Sequence, residues 1–189
     1  MNSENEIRNF IAESQIMKKL HLYARGCDRG DLEIMKSIYH PDAQEEHGIF
    51  SGNGHDFCDF VVSFVATVDS VTHYITNAII EVDGNIAHSE SSFFVATIGI
   101  SDENGEKIDL LMGGRYFDRF ERREADWKIA HRQVSFDWYT RAPKSSSWDD
   151  PLVQQWTMRG RKDKQDHVYR FLEERSVGAR MGTLPPEQN

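Results

Sequence analysis

The fold of this chain is indicated most clearly by residues 107–140, KIDLLMGGRYFDRFERREADWKIAHRQVSFDWYT. β-branched and aromatic residues dominate its two halves, Lys107–Arg122 and Trp127–Thr140, and a short polar turn separates them. Two earlier runs, Thr72–Val82 and Ile86–Ser101, have the same composition and are joined by equally short connections. Long strands joined in sequence by short loops predict an antiparallel meander.

Apolar residues at helical spacing precede the meander. They predict a helix over Glu4–Arg25, which Ser14 would divide, and a second helix over Asp56–Val68. Asp31 is a suitable N-cap for a short helix between them, and Ala43–Phe50 is short enough to be an edge strand. Helices followed by a meander predict an α+β domain, with the helices packed on one face of a curved antiparallel sheet.

The C-terminal quarter of the chain has a different character. We expect residues 1–141 to form one domain and residues 142–189 to form a helical extension with a mobile tail. Asp150–Trp156 begins with an N-cap followed by proline, which predicts a helix, and a second helix is expected over Asp163–Arg175. Gly178–Asn189 is expected to be the mobile tail.

Charge restricts the possible partners. The chain has 22 Lys and Arg against 31 Asp and Glu, and its formal net charge is −9. An acidic chain without a long basic run is poorly suited to nucleic-acid phosphates or anionic membranes. No apolar run is long enough to span a bilayer, and the polar N-terminus is unlike a signal peptide. We therefore expect a cytoplasmic protein with neither a nucleic-acid nor a membrane partner.

The histidines and cysteines lack the spacing of a metal site. The eight histidines show no tetrahedral ligand pattern, and the cysteines, Cys27 and Cys58, could form at most one disulfide. Metalloprotease, nucleophile-elbow and phosphate-loop motifs are also missing from the sequence. We predict that the protein uses neither a metal nor an organic cofactor.

His73 and Asp28 are the first candidates for chemistry. A lone histidine in a strand is more often structural than catalytic, and an aspartate in a turn is more often a cap. If the two side chains meet, the carboxylate would fix the histidine tautomer and stabilise the imidazolium. The other ring nitrogen would then act as a base near neutral pH. The sequence alone does not show whether they meet.

Arg132 is the third candidate. Strand alternation puts it on the same face as Val134 and Phe136, whereas Ile129 and His131 face the other way. If the first face lines a cavity, the guanidinium would stabilise developing anionic charge there. Otherwise Arg132 would form an ion pair at the edge of the sheet.

Other polar residues could contribute to a pocket. Tyr23 and Tyr116 can each donate a phenolic hydrogen bond, or serve as core residues with a polar tip. Glu45 and His47 share one face of a short strand, where they either add polar groups to a pocket or face water. Gly114 belongs to a Gly-Gly pair inside a strand, which indicates a bend or a close backbone approach.

Three of these stretches together resemble the SnoaL-like branch of the NTF2-like superfamily. They are Tyr23–Asp31, Thr72–Asn77 and Gly113–Arg122, and the resemblance covers about Asn2 to Tyr139. Within that branch the closest likeness is to lindane dehydrochlorinase and scytalone dehydratase. The family fold is a cone-shaped α+β barrel, in which helices and a curved sheet enclose a deep apolar cavity. This agrees with the element order above.

The resemblance implies roles for four residues. His73 matches the histidine that removes a proton from carbon, and Asp28 matches the aspartate that supports it. Arg132 matches the arginine that assists departure of chloride. Tyr23 stands where the dehydrochlorinase has a catalytic lysine, which suits an oxygen leaving group. Because members of this group form trimers or dimers, the resemblance also implies a homo-oligomer, with the trimer favoured.

We therefore predict a cofactor-independent lyase that performs β-elimination on a small hydrophobic or cyclic substrate, with dehydration favoured over dehydrohalogenation. The expected substrate-binding residues are Glu45, His47, Phe94, Met112, Gly114, Tyr116, Val134 and Phe136. An isomerase or a polyketide-cyclase-like enzyme would use the same base without a leaving group. A non-catalytic ligand-binding protein would instead keep Asp28 and His73 apart, or fill the cavity with side chains.

Overall fold

The computed structural model describes residues 3–173 and confirms the α+β class. The elements follow in the order α1 (Ser3–Asp28), α2 (Leu32–Ile38), β1 (Tyr39–Glu46), β2 (Ser51–Asn53), α3 (Gly54–Thr67), β3 (Ser70–Asp83), β4 (Ile86–Ser101), β5 (Lys107–Arg123) and β6 (Asp126–Pro143). A further helical segment occupies the described residues 167–173. Within residues 3–173, no helix has the length and apolar character needed to cross a membrane.

The strands form one curved sheet in the order β2-β1-β6-β5-β4-β3. β3 to β6 make the predicted antiparallel meander, and β1 pairs with β6 in parallel. The strand expected at Ala43–Phe50 is therefore not an edge strand, because β1 begins at Tyr39 and lies between β2 and β6. The chain turns back at Gly48, whose φ of +71° suits glycine, and β2 then covers the free side of β1.

α1 is longer than predicted and is unbroken. It continues through Ser14 because that side chain is exposed and can hydrogen-bond to water. Its buried face carries Ile16, Leu20 and Tyr23 at helical spacing. The helix also continues beyond Arg25 and ends at Asp28, which brings that carboxylate against the beginning of β3.

Two irregularities in the pairing of β5 with β6 decide which side chains face inward. The first lies between Gly113 and Gly114, where a Cβ on Gly114 would be 2.0 Å from the Ser135 carbonyl oxygen. The two strands approach closely there, as the glycine pair indicated. The second is a bulge after Ile129, which inverts the alternation so that Ile129 and Arg132 are both fully buried. The prediction that these two residues face opposite sides is therefore wrong.

The core lies between the helices and the concave face of the sheet. Its fully buried side chains come from every layer and include Ile16, Leu20, Met35, Ile38, Phe57, Phe120, Trp127 and Ile129. Burial of apolar side chains of this kind is the main favourable contribution to folding. Cys27 and Cys58 are buried in the same core as free thiols.

The C-terminal extension departs from its prediction. The helix expected over Asp150–Trp156 is a series of turns, because Leu152 and Trp156 remain exposed and a short helix needs packing to persist. The second expected helix, Asp163–Arg175, begins only at residue 167. Its residues beyond 173, like the expected mobile tail at 178–189, lie outside the described residues.

Hydrogen bonds anchor the extension to the helical layer. Asp31 is the N-cap of α2, as predicted, and its other oxygen accepts a hydrogen bond of 2.6 Å from the Tyr169 hydroxyl. Lys162 donates to two backbone carbonyl oxygens at the end of α3. Within residues 3–173, no residue after Arg141 lines the cavity of this domain, so the described part of the extension does not cover it.

We expect Gly114→Ala to lower the free energy of unfolding by about 1–3 kcal/mol, because the new methyl group would overlap the Ser135 carbonyl group and force β5 from β6. The matched control is Gly52→Ala, whose Cβ would meet only the Phe50 ring at an ordinary contact distance of 3.5 Å. Urea unfolding of the three proteins measures both effects. Equal stability of the two variants would contradict the close approach at Gly114.

Candidate active site

A cavity of about 580 Å³ opens between the helices and the concave face of the sheet. Most of its wall is apolar and includes Phe57, Val61, Val71, Phe93, Val95, Met112, Phe136 and Trp138. Its polar side chains are few, namely Tyr23, Cys27, His47, His73, Thr97, Tyr116 and Arg141, with Tyr139 at the exposed rim. Such a cavity suits a small, largely apolar ligand that is oriented by a few polar contacts.

The Asp28 carboxylate and the His73 imidazole meet at this cavity. Asp28 Oδ1 accepts a hydrogen bond from His73 Nδ1 at 2.7 Å and another from the His73 backbone N–H at 3.0 Å. The exposed fractions of the two side chains are only 10% for His73 and 11% for Asp28. The contact favours the tautomer with hydrogen on Nδ1, which leaves Nε2 for a ligand.

The surroundings of His73 favour its protonated form. Burial by itself lowers the pKa of the imidazole, but the Cys27 sulfur and the Asp28 carboxylate outweigh burial and raise this pKa to about 10. His73 is therefore protonated at neutral pH. His73 must release a proton before it can act as a base, and it is then a stronger base than free imidazole.

Tyr23 and Tyr116 form a pair of phenols beside the imidazole. The Tyr23 ring centroid lies 6.1 Å from that of His73 and 5.5 Å from that of Tyr116, with edge-to-face geometry in both contacts. Burial raises the pKa of both phenols well above the ordinary value, although the Arg132 charge opposes this rise. The pair therefore stays protonated near neutral pH and can donate a hydrogen bond to an anionic ligand atom.

Arg132 lies behind the two phenols and outside the cavity lining. Its Cζ is 4.2 Å from the ring centroids of Tyr23 and Tyr116. Its Nε and Nη2 donate to Asp118 at 2.6 and 2.8 Å, and both members of this ion pair are completely buried. The expectations that Arg132 faces the cavity or pairs at the sheet edge are both wrong. β6 is a central strand, and the bulge after Ile129 turns the guanidinium toward the core.

Glu45 and His47 form a second carboxylate–imidazole contact at the end of β1. Glu45 Oε1 accepts a hydrogen bond from His47 Nδ1 at 2.8 Å, and the Glu45 side chain is fully buried. The His47 ring lines the cavity and stacks on Phe57 with 4.6 Å between ring centroids. Of the two, only His47 reaches the cavity, and Glu45 supports it from behind.

The expected apolar wall is only partly correct. Its members Met112, Tyr116 and Phe136 line the cavity. The prediction for Phe94 is wrong, because strand alternation turns Phe93 inward and leaves Phe94 on the other face of β4 beside Tyr74. Val134 and Gly114 are also outside the lining. Val134 borders a separate shallow groove, and the Phe93 ring fills the space in front of Gly114.

Most of the lining residues, among them Cys27, Phe57 and Phe93, were missed by the sequence analysis. Phe57 was visible as part of the apolar stripe of α3, but a stripe does not reveal which neighbour it faces. Phe93 alternates with Phe94, so one of the two had to face inward. Cys27 had a weaker signal, which was its position next to Asp28 in the chain.

The sequence matches the profile of the SnoaL-like domain family over residues 8–133. The matched stretch runs from α1 into β6 and includes both carboxylate–imidazole pairs and Arg132. The chain therefore belongs to the SnoaL-like family, and the helices and curved sheet around one cavity are the NTF2-like cone fold. Comparison with functionally curated proteins returns no significant match.

Solved structures share this fold at low sequence identity. A hexachlorocyclohexane dehydrochlorinase (LinA, type 2) has a TM-score of 0.66 and 17% identity, over 75% of this chain and 97% of its own. A candidate scytalone dehydratase from Novosphingobium aromaticivorans has a TM-score of 0.62 and 18% identity, over 74% of this chain and 93% of its own. A variant of Rv3472, a protein of unknown function from Mycobacterium tuberculosis, has a TM-score of 0.59 and 20% identity, over 95% of this chain and 96% of its own. At these identities the similarity establishes the fold.

The raised pKa of His73 predicts how stability depends on pH. Because the pKa is about 10 in the folded protein and about 6.5 in the unfolded chain, the imidazolium stabilises the fold fully below about pH 6.5. This contribution is lost as the pH rises through 10. Unfolding free energies of wild type and His73→Gln, measured at about pH 6, 8 and 10, should therefore converge as the pH rises. A difference that is constant or grows with pH would contradict the imidazolium pair.

Removal of one partner from the buried ion pair should be costly. We expect Arg132→Met to lower the free energy of unfolding by about 3–5 kcal/mol, because the Asp118 carboxylate would remain buried without a cation. The double variant Arg132→Met/Asp118→Leu should recover much of this loss, since both charges are then gone. Denaturant unfolding tests the pair, and equal losses in the single and double variants would contradict this interpretation.

Proposed function

We propose that the protein is a cofactor-independent lyase that catalyses β-elimination, preferably dehydration, on a small hydrophobic or cyclic substrate. The observation that carries this proposal is the Nδ1–Oδ1 contact of 2.7 Å between His73 and Asp28 beside an apolar cavity of about 580 Å³. A non-catalytic ligand-binding protein was expected to separate these side chains or to fill the cavity. Neither feature is present in the described residues.

His73 acts as the general base in this mechanism. Its Nε2 takes a proton from the carbon next to the one that bears the leaving group, and Asp28 stabilises the resulting imidazolium. The environment that raises the pKa of His73 to about 10 makes its neutral form a strong base, which suits a weakly acidic C–H bond. The same environment keeps the neutral fraction small at pH 7, so we expect the rate to rise with pH.

The phenol pair stabilises negative charge that develops on the substrate. Tyr23 and Tyr116 can donate a hydrogen bond to a carbonyl or hydroxyl oxygen in the cavity. Arg132 lies 4.2 Å behind both rings, and its positive charge makes their hydroxyl groups more acidic and therefore better hydrogen-bond donors. In this proposal Arg132 is therefore a positioning residue that acts through Tyr23 and Tyr116. A low-dielectric interior strengthens such interactions, because little water competes for the same donors.

The relatives with this fold support the class of reaction. One is a hexachlorocyclohexane dehydrochlorinase and another is a candidate scytalone dehydratase, and both names describe eliminations. Fold alone does not determine reaction, so the assignment depends on the residues of this chain. Tyr23 and Tyr116 favour an oxygen leaving group, since a phenol can donate a hydrogen bond to a departing hydroxyl.

The test uses a β-hydroxy ketone, the aldol of benzaldehyde and acetone, as the probe substrate. We expect wild type to release benzylideneacetone, and His73→Gln to lower kcat/KM by about 10²–10⁴-fold with the fold intact. His88→Gln is the matched control, because His88 is an exposed histidine of β4 outside the cavity lining. Product mass separates elimination, which loses water, from isomerisation, which conserves mass. An unchanged rate in His73→Gln would rule out the assigned base.

The pH profile provides a second test of the pair. On the β-chloro analogue of the β-hydroxy ketone, whose leaving group needs no proton, wild-type kcat/KM should rise about tenfold per pH unit from about pH 6 to about pH 9, because only neutral His73 can accept the proton. In Asp28→Asn the rise should move to lower pH, since the lost carboxylate no longer raises the pKa of His73. Identical profiles in the two proteins would contradict the role of Asp28.

A further inference from the structure

The contact between His47 and Glu45 has the same construction as that between His73 and Asp28. In both, a buried carboxylate accepts a hydrogen bond from imidazole Nδ1, at 2.8 Å and 2.7 Å respectively. Both imidazoles line the one cavity. Within residues 3–173, His47 Nε2 has no hydrogen-bond partner, so this nitrogen is available to a ligand.

Glu45 is a buried carboxylate with an incomplete set of hydrogen-bond partners. Its side chain is fully buried, and Oε2 has no hydrogen-bond partner among the described residues. Arg132 pairs with Glu45 in the backbone register, and its Nε and Nη2 donate to Asp118, whereas its Nη1 has no hydrogen-bond partner among the described residues. A buried carboxylate is costly without a compensating charge. His47 is the side chain in hydrogen-bond contact with Glu45, and in its protonated form it presents an Nε2–H donor to the cavity.

The two phenols lie between the two imidazoles. Ring centroids are 6.1 Å apart from His73 to Tyr23, 5.5 Å from Tyr23 to Tyr116, and 6.3 Å from Tyr116 to His47. A substrate that contacts both phenols therefore lies close to both imidazoles. Phe57, stacked on His47, holds the second ring in this orientation.

We propose that His47, positioned by Glu45, is the general acid that protonates the departing hydroxyl group; this inference rests on the proposed lyase function. His73 Nε2 takes the proton from carbon, the electron pair of that C–H bond forms the C=C bond, and the C–O bond breaks with its pair on oxygen. The oxygen takes the proton of His47 Nε2–H and leaves as water. Proton exchange with solvent then restores both imidazoles.

A change of leaving group tests this role. The probes are the same β-hydroxy ketone and its β-chloro analogue, which give one common product that is followed by its ultraviolet absorbance. Hydroxide needs a proton to depart, whereas chloride does not. We expect His47→Gln to lower kcat on the hydroxy probe by about 10²–10⁴-fold and to change kcat on the chloro probe by less than about fivefold. Glu45→Gln should show the same selective loss in kcat, and the retained chloride elimination reports that each variant is folded.

Each result is decisive. Equal losses on the two probes, or no loss on either, would overturn the general-acid role of His47, and so would a wild type that eliminates chloride but not water. Loss of both reactions in His73→Gln supports the proposed lyase function independently of His47. If wild type accelerates neither probe, or if His73→Gln loses neither reaction, the lyase function itself is overturned. His88→Gln should match wild type on both probes.

Discussion

The rest of the site depends on the interaction between the Asp28 carboxylate and His73. Asp28 is the last residue of α1 and His73 lies near the beginning of β3, so the interaction joins the longest helix to the outer strand of the meander. The same carboxylate accepts from the backbone N–H of His73 and from its ring. A carboxylate buried here without these donors would be costly. The Asp28 carboxylate therefore fixes both the position of the helix end and the orientation of the imidazole.

Three buried carboxylates, each hydrogen-bonded to a basic side chain, surround the cavity. Asp28 contacts His73, Glu45 contacts His47, and Asp118 contacts Arg132. Buried ion pairs are seldom the most stabilising choice, because apolar residues of similar size often serve stability as well or better. Two of the three pairs present an imidazole to the cavity, and the third lies behind the phenols that connect those imidazoles. This distribution agrees with the chemistry that we propose for the cavity.

Most of the fold could be predicted because its periodicities are local. The β-branched and aromatic composition of Lys107–Arg122 and the apolar stripe of α3 are visible without any knowledge of neighbours. The failures occurred where packing overrides local preference. Asp150–Trp156 has the residues that begin a helix, but its apolar side chains have no neighbouring surface on which to pack. The strand predicted at the sheet edge, Ala43–Phe50, is instead paired with a strand on each side. Only half of the expected apolar wall faces the cavity, since alternation identifies two faces but not which one is inside.

Local patterns were sufficient to predict the order of helices and meander, the approximate positions of the four long strands, and the candidate pair His73 and Asp28. The contact between these two side chains is visible only in the folded chain, because they are 45 positions apart and meet through the packing of α1 on β3. The tertiary structure also decided that Arg132 faces the core and that Glu45 is buried behind His47. Arg132 faces the core because a one-residue bulge inverts the strand alternation. Glu45 is buried because of the strands that become its neighbours. A local sequence pattern shows neither feature.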